Sequence, residues 1–522
     1  MKYMITQESE EMFKNLYTFE MANNHQGSLE HGKNIVNELS KIVSKHKIRA
    51  AIKLQYRDLW PEPHFIHKDF RDRKDVKHVP RFLSTRLTDD EFIELLNHIK
   101  SKGILTMVTP FDEASVDKCI EHEVEIIKIA SCSVTDWPLL EKIAVQNHPT
   151  IISTGGSDFA DIDNVYTFFS KRVDNFAIMH CVGLYPCANE FMDLEVISRL
   201  KKRYPGITIG YSGHENPDNT DVIMVAAAKG AEIFEGHVGL ETKEIKLNKY
   251  SKSPSQVEKW VSASLTAQII SGNSIEKSVT DTEQQSLLTL KRGVFAAKKI
   301  KKGEEIAMTN VYFAMPCIDS SHLDSSTFGM KKNTFQASRD YRPDEAINEK
   351  PISSEYDLNH NIARQAIHEV RGLLNEANIA VDFDSSWIEG ADNIEISHHY
   401  GIAKFRETGM VLINEINREY CKKILIILPG QKHPEHLHKL KEETFQVLSG
   451  KIFVRINQGD PLEMTKGEKL LVKRGVRHEF WCEETAAIIE EISTTYYRND
   501  SFYTDDYIMK LDPMERKTIL KS

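Results

Sequence analysis

The stretch FEMANNHQGSLEHGK, residues 19–33, opens like a buried strand and closes like a helix. Between the two it places Glu20, two asparagines, a histidine and a glycine within a few residues. A loop that only connects needs none of that chemistry. The same punctuation recurs as far as about residue 236. Short apolar runs rich in β-branched residues read YTFEMA (17–22), AAIKLQ (50–55), ILTMVT (104–109) and EIIKIAS (125–131). They continue as TIIST (150–154), FAIMHC (176–181), ITIGYS (207–212) and AEIFEGH (231–237). Amphipathic segments lie between them, among them HGKNIVNELSKIVSK (31–45), DDEFIELLNHIKSKG (89–103) and NTDVIMVAAAKG (219–230). Strand alternating with helix predicts a parallel sheet. Eight such strands in this length predict a closed (β/α)8 TIM barrel, an α/β fold whose active site lies at the C-terminal strand ends. Glu20, Lys53, Gln55, Thr109, Lys128, Ser131, Ser153, His180, Ser212, His214 and His237 all fall late in a strand or just beyond it. Glu20 and its loop are therefore expected to face the barrel mouth.

The whole chain of 522 residues suggests about three domains. Its hydrophobic fraction of 40% and charged fraction of 28% are those of an ordinary globular protein with room for sizeable cores. A net charge of −10 argues against general attraction to nucleic acid or anionic membrane. The opening MKYMITQESEEMFK lacks the apolar run of a signal peptide, and no run is long enough to span a bilayer. Seven scattered cysteines fit reduced thiols. A cytoplasmic setting is expected.

Past residue 280 the pattern changes. LKRGVFAAKKIKKGEEIAMTNVYFAMP (290–316) carries short β-like runs and a glycine turn in a basic stretch. The expected division is a barrel over 1–280, a small domain over 281–350, and a polar linker over 351–394. A compact all-β domain over 395–500 and a C-terminal tail over 501–522 complete it. The β-domain rests on KILIILPG, TFQVLSGKIFVRI, EKLLVKRG and AAIIEEIS.

Eight motifs in order carry a resemblance. They are EMANNHQGSLEHGK, IKLQ, VTPFDEASV, IKIASCSVTDWPLL, ISTGGS, HCVGLYP, GYSGHE and EGHVGL. Together they resemble the sialic acid (N-acetylneuraminate) synthase family, and residues 281–350 are similar to the antifreeze-like SAF domain that follows the barrel there. The resemblance implies condensation of phosphoenolpyruvate with an open-chain aldose, giving a 2-keto-3-deoxy sugar acid and phosphate. It implies catalytic roles for Glu20, Lys53, Lys128 and Tyr185, and substrate contacts from Gln55, Thr109, Ser131, Ser153, Ser212 and Asn248. It also implies a divalent metal on His214 and His237. Mn²⁺ is the first expectation, with Co²⁺ or Zn²⁺ suited to imidazole as well. A homodimer in which the SAF domain covers the partner's barrel mouth is implied too. The chemistry is consistent: a phosphate dianion needs ammonium groups and hydroxyl donors, and an aldehyde needs a Lewis acid before a weak enol carbon can attack it.

The departures fall mostly on the acceptor side. Ser133 stands where the family has a glutamate, Gly183 where asparagine is frequent, Gly236 where a lysine stands, and Met315 in place of the SAF arginine. The same reaction class on an acceptor other than N-acetylmannosamine is expected.

A second constellation is GQKHPEHLHKLKEETFQVLSG (430–450) followed by GEKLLVKRGVRH (467–478). It resembles the two motifs of the cupin superfamily at full spacing, with Lys473 in place of the usual proline and Cys482 in place of a common asparagine. Alternation puts His436 and His438 on one strand face, and Glu443 and His478 can close a second divalent transition-metal site. His433 and the HHY run at 398–400 can be read as rim residues of that site, but are expected as ordinary surface positions. Two other readings stand beside the synthase: a cupin sugar isomerase or epimerase with a secondary barrel, and a cupin that only binds sugar or joins subunits. Lys53, Lys128, His214 and His237 favour the synthase, because a decayed barrel has no reason to keep them.

Overall fold

The computed structural model describes residues 12–60, 62–272, 277–330, 333–352, 355–381 and 394–520. The chain divides into two compact units, 1–277 and 278–522.

The first unit is a closed parallel barrel of eight strands in sequence order. They are β1 (Leu16–Glu20), β2 (Arg49–Tyr56), β3 (Leu105–Pro110), β4 (Ile126–Ile129), β5 (Thr150–Ser153), β6 (Phe176–Cys181), β7 (Ile209–Gly213) and β8 (Ile233–His237). β1 closes the ring by pairing with both β2 and β8, which aligns Glu20 with Lys53 on one side and His237 on the other. Period-two alternation then decides what faces inward. The lower interior is apolar: Leu16, Ala51, Met107, Ile126, Ile151, Met179 and Ile233 form one cluster with Phe13. Two residues later on the same strands stand Thr18, Lys53, Thr109, Lys128, Ser153, Cys181 and Glu235. The barrel thus has a dry floor and a polar mouth. The outer strand faces bury a second, larger core against the surrounding helices, with Phe19, Ile52, Ile127, Ile152 and Trp260 among its members.

In the second unit, β9 (Gly293–Ala296) and β10 (Val311–Ala314) pair antiparallel. Val294, Ile300, Ile306, Val311, Phe335, Tyr341 and Ile347 close a small core of their own around them. The β-domain follows. Its seven-stranded sheet runs β18 (Lys469–Val472), β15 (Glu443–Ser449), β20 (Ala487–Thr494), β13 (Tyr420–Ile427), β12 (Gly409–Asn417), β11 (Ile394–His398) and β22 (Lys517–Leu520). Its five-stranded sheet runs β17 (Leu462–Thr465), β16 (Lys451–Ile456), β19 (His478–Trp481), β14 (Lys432–His438) and β21 (Ser501–Tyr503).

Two expectations are corrected here. The stretch 351–394 is not simply a linker, because it contains a helix, Glu355–Glu376. Ala363, Ala366, Val370 and Leu374 on that helix are buried with Ile396, Val411, Ile413 and Ile426 of the large sheet. Their spacing of three and four residues makes one apolar stripe, which the polar residues between them obscure. Nor is 501–522 a loose tail: β21 pairs with β14, and β22 pairs with β11. Residues 382–393 of the expected linker lie outside the described residues. Among the described residues no helix is long and apolar enough to cross a membrane, and the seven cysteines are unpaired.

Leu374→Ala should lower stability by about 2–5 kcal/mol, as for a buried leucine. Urea unfolding followed on the full chain checks this, and a change below about 0.5 kcal/mol is what an exposed linker residue would give.

Candidate active site and metal centre

At the barrel mouth the structure brings together Glu20, Lys53, Lys128, Ser153 and Ser212, and adds Glu235. Lys53 is buried between two carboxylates: it pairs with Glu20, and its Nζ lies 2.7 Å from Glu235 Oε1. Ser212 Oγ donates to the same Glu235 oxygen at 2.9 Å. Lys128 Nζ donates to Ser153 Oγ and to the Ile129 carbonyl, and stands 3.9 Å from Glu235. Glu20 Oε1, Glu235 Oε2 and Thr109 Oγ1 are buried without a hydrogen-bond partner. Such atoms in a polar mouth are places for a ligand or water to bind.

The protonation states follow from burial and pairing. Burial works against the Lys53 charge, but Glu20 and Glu235 outweigh it and hold the ammonium above its ordinary value. Burial also works against the Glu235 charge, and Lys128 and Lys53 overcome it, so this carboxylate stays ionised. Glu20 goes the other way: burial raises its carboxyl, Lys53 pulls it back and Glu235 pushes it up further. Glu20 is therefore the acid of the group that most readily takes a proton. Lys128 is pushed down to about 8 by burial, which Glu235 only partly offsets.

Above this layer lie two neutral imidazoles. His214 is lowered to about 4 by burial, and His237 falls well below the ordinary value through burial and its neighbour His214. Their ring centroids are 5.3 Å apart. His214 Nδ1 must donate to the Val182 carbonyl, 3.0 Å away, so its Nε2 carries a lone pair. Tyr185 covers His214 with ring centroids 3.8 Å apart, and Tyr250 lies 5.0 Å from His237. The two histidines suit a divalent metal that takes its remaining ligands from substrate and water.

Other sequence candidates are placed differently. Ser131 Oγ accepts from the Gly155 N–H at 2.9 Å, holding the β5 loop. Gln55 Oε1 accepts from Arg57 at 3.0 Å. Asn248 is not brought into the charged layer: its Oδ1 accepts from the N–H groups of Tyr250 and Ser251, so it shapes the turn that presents Tyr250. His180 Nε2 donates to the Met192 carbonyl. Sequence reading missed Glu235, Arg57 and the buried pair Lys252–Glu215, 2.9 Å apart. Lys252 Nζ lies 3.1 Å from where a Cβ on Gly236 would stand, so its ammonium fills the space beside that glycine.

The cupin motif builds the second centre. His436, His438, Glu443 and His478 are all buried and offer ligand atoms within 4.8 Å of one another. Register puts His436 opposite His478. Each histidine donates from Nδ1 to a backbone carbonyl: His436 to Pro434 at 3.0 Å, His438 to Asp500 at 2.8 Å, His478 to Val476 at 3.2 Å. That fixes the tautomer with Nε2 unprotonated, the form that binds metal. Glu443 Oε1 and His478 Nε2 approach to 2.8 Å, yet neither makes a hydrogen bond. Two acceptors aimed at one space without a proton between them fit a cation. Lys441 pairs with Glu443 and with Glu491 at 2.8 Å, holding the other carboxylate oxygen.

The surface expectation for His398, His399 and His433 is corrected, because all three are buried. His433 stacks on Phe480 with centroids 4.8 Å apart, and His399 Nε2 lies 2.9 Å from the Tyr503 hydroxyl. Their neighbours come from β19 and β21, which no local pattern could reveal.

A profile described as the NeuB family matches residues 50–276, and a cupin-domain profile matches residues 423–490. A Chromobacterium violaceum protein provisionally named spore coat polysaccharide biosynthesis protein E has a crystal structure 41% identical in sequence. The match covers all of that chain and 65% of this one, at a TM-score of 0.59. An uncharacterized Methanocaldococcus jannaschii protein is 30% identical over 295 residues, 82% of its length and 56% of this chain. The chain belongs to the NeuB family. Another relative, at 29% identity over 49% of this chain and 75% of its own, is the N,N'-diacetyllegionaminic acid synthase of Campylobacter jejuni. A cupin domain is thus present in the same chain as a NeuB barrel.

Metal analysis should separate the two centres of this NeuB-family chain. His436→Ala combined with His438→Ala should empty the cupin centre and leave the barrel metal, and His214→Ala should do the reverse. Unchanged metal content in the double variant would show that the cupin cluster holds none.

Proposed function

We propose that the barrel condenses phosphoenolpyruvate with an open-chain aldose to give a 2-keto-3-deoxy sugar acid, of the sialic or legionaminic kind, and inorganic phosphate. The observation that carries this is the buried mouth layer. Lys128 and Lys53, with Ser153, Ser212 and Thr109, place two ammonium groups and three hydroxyls in the buried mouth layer of a barrel whose floor is apolar. Such a layer suits a small, highly charged anion, since charge-assisted hydrogen bonds there are strong. The names of the family's curated members support the same chemistry.

In this reading Lys128 and the hydroxyls hold phosphoenolpyruvate, and Lys53 fixes Glu20 and Glu235 on either side. A divalent metal on His214 and His237 would supply Lewis-acid polarisation of the aldehyde. The C3 carbon of the enol forms a bond to the aldehyde carbon, and the aldehyde oxygen takes a proton. Water adds to the former C2 and gives up one proton; the C2 hydroxyl so formed then loses its second proton as the C2–O bond to phosphate breaks, leaving the ketone and a phosphate that carries that proton away. Glu20, whose carboxyl is raised, is suited to move one of these protons. Tyr185 and Tyr250 wall the histidine pair. The division of the second unit into an SAF-like domain and a cupin, a homodimer and a cytoplasmic setting belong to this reading. The cupin is read as a second metal centre that binds or isomerises a sugar. A decayed barrel beside an active cupin is the weaker alternative, because the mouth charges remain mutually paired.

Phosphate release should require both phosphoenolpyruvate and an aldose, and should stop with chelator. The same assay gives a pH test. Lys128 carries its charge below about pH 8 in the ligand-free protein and loses it above. The kcat/KM for phosphoenolpyruvate should therefore fall as pH rises through about 8. Activity that survives exhaustive chelation, or rises steadily to pH 10, would contradict the assignment.

A further inference from the structure

One half-buried cation at the barrel mouth has no partner of opposite charge among the described residues. Arg57 follows β2, four residues beyond Lys53. Its guanidinium lies between the rings of Phe82 and Phe111, 3.9 and 3.7 Å from their centroids. It donates to Gln55 Oε1, while its Nε is buried without a hydrogen-bond partner. Among the described residues no carboxylate lies within ion-pair distance of it. The acids whose fields reach it are engaged elsewhere. Glu20 is held by Lys53, and Asp112 accepts from the N–H groups of Asp58 and Ser115 at 2.8 and 2.7 Å. Burial lowers the group only to about 10, so it is charged at neutral pH. A guanidinium half withdrawn from water, with its Nε buried and no counter-charge beside it, is a place where an anionic ligand gains by supplying one.

The surroundings make a site of it. Arg57 lines a cleft with Gln55, His25, Trp60 and Arg86. Arg86 lies over the Trp60 ring at 4.8 Å and, among the described residues, donates to the Leu59 carbonyl and pairs with no carboxylate. The other charges on the wall, Asp89 and Lys118, neutralise each other at 2.8 Å. His25 is held neutral by burial. The cleft therefore carries an excess of two positive charges in a polar and aromatic wall. It meets the active site through Gln55, one inward position above Lys53 on the same strand. Lys53 and Lys128 already serve the phosphoenolpyruvate layer below, so the cleft falls to the second substrate.

We propose that the Arg57 cleft binds an anionic group on the acceptor, so that the aldose this barrel uses carries a phosphate or a carboxylate at the end remote from its aldehyde. This rests on the condensation reading above.

The test compares matched acceptors in the phosphate-release assay: mannose against mannose 6-phosphate and mannuronate, and N-acetylmannosamine against its 6-phosphate. The wild-type chain should favour a charged member by about tenfold or more in kcat/KM, the scale of one charged hydrogen bond. The preferred arm tells phosphate from carboxylate. Arg57→Met should bring the charged-to-neutral ratio towards one through the acceptor KM, and leave the KM for phosphoenolpyruvate within about twofold. Arg57→Lys should keep part of the preference. Neutral acceptors used as well as or better than charged ones would overturn the subsite and leave the condensation standing. A variant that raises the KM for phosphoenolpyruvate while keeping the acceptor ratio would assign Arg57 to the other substrate. No release with any aldose would remove the condensation reading and the subsite together. The wild-type comparison decides the question even if the variants fail to fold.

Discussion

Lys53 between Glu20 and Glu235 is the constraint on which the barrel mouth depends. Three charges buried at the strand ends are tolerable only because each satisfies another. Remove the ammonium and two carboxylates face each other in low dielectric. With it in place, one oxygen of each acid is fixed and the other is left without a partner. The dry floor below, from Leu16 to Ile233, keeps water from reaching the group from beneath. Pairing and exclusion together let Lys128 sit close by with only partial compensation, which makes it the cation available to a ligand.

The cupin repeats the device. Lys441 lies between Glu443 and Glu491 and takes one oxygen of the metal-site carboxylate. The other oxygen is left facing His478 and His438. A buried lysine thus turns a carboxylate that could rotate into one with a fixed direction. Asp500 supports the same corner by accepting from three successive N–H groups, Lys439 to Lys441. The segment between β20 and β21 is therefore part of the centre and not an appendage to it.

Much of this was legible from strand periodicity, because alternation alone puts Glu20, Lys53, Lys128, Ser153 and His237 on the inside once the barrel is drawn. The cupin ligands were legible from spacing. What escaped reading has a common physical cause: it depends on contacts between residues far apart in sequence. Glu235 shares the inward face of His237, but its role shows only when Lys53, 182 positions away, is seen beside it. His399 and His433 look like surface polar groups until Tyr503 and Phe480 cover them. The helix Glu355–Glu376 has an apolar stripe too narrow to stand out from its polar faces. Asn248 shows a use that spacing does not reveal: its Oδ1 holds the turn that presents Tyr250.

The central claim is that the buried layer around Lys128 and Lys53 is a seat for phosphoenolpyruvate. Calorimetric titration of the metal-supplied protein with phosphoenolpyruvate alone tests it most directly. The account predicts one equivalent bound per chain by the wild type. It predicts binding weakened at least about tenfold by Lys128→Met, in a variant that keeps its cupin metal and its cooperative unfolding. Equal affinity in the two proteins, or no binding by the wild type, would contradict it.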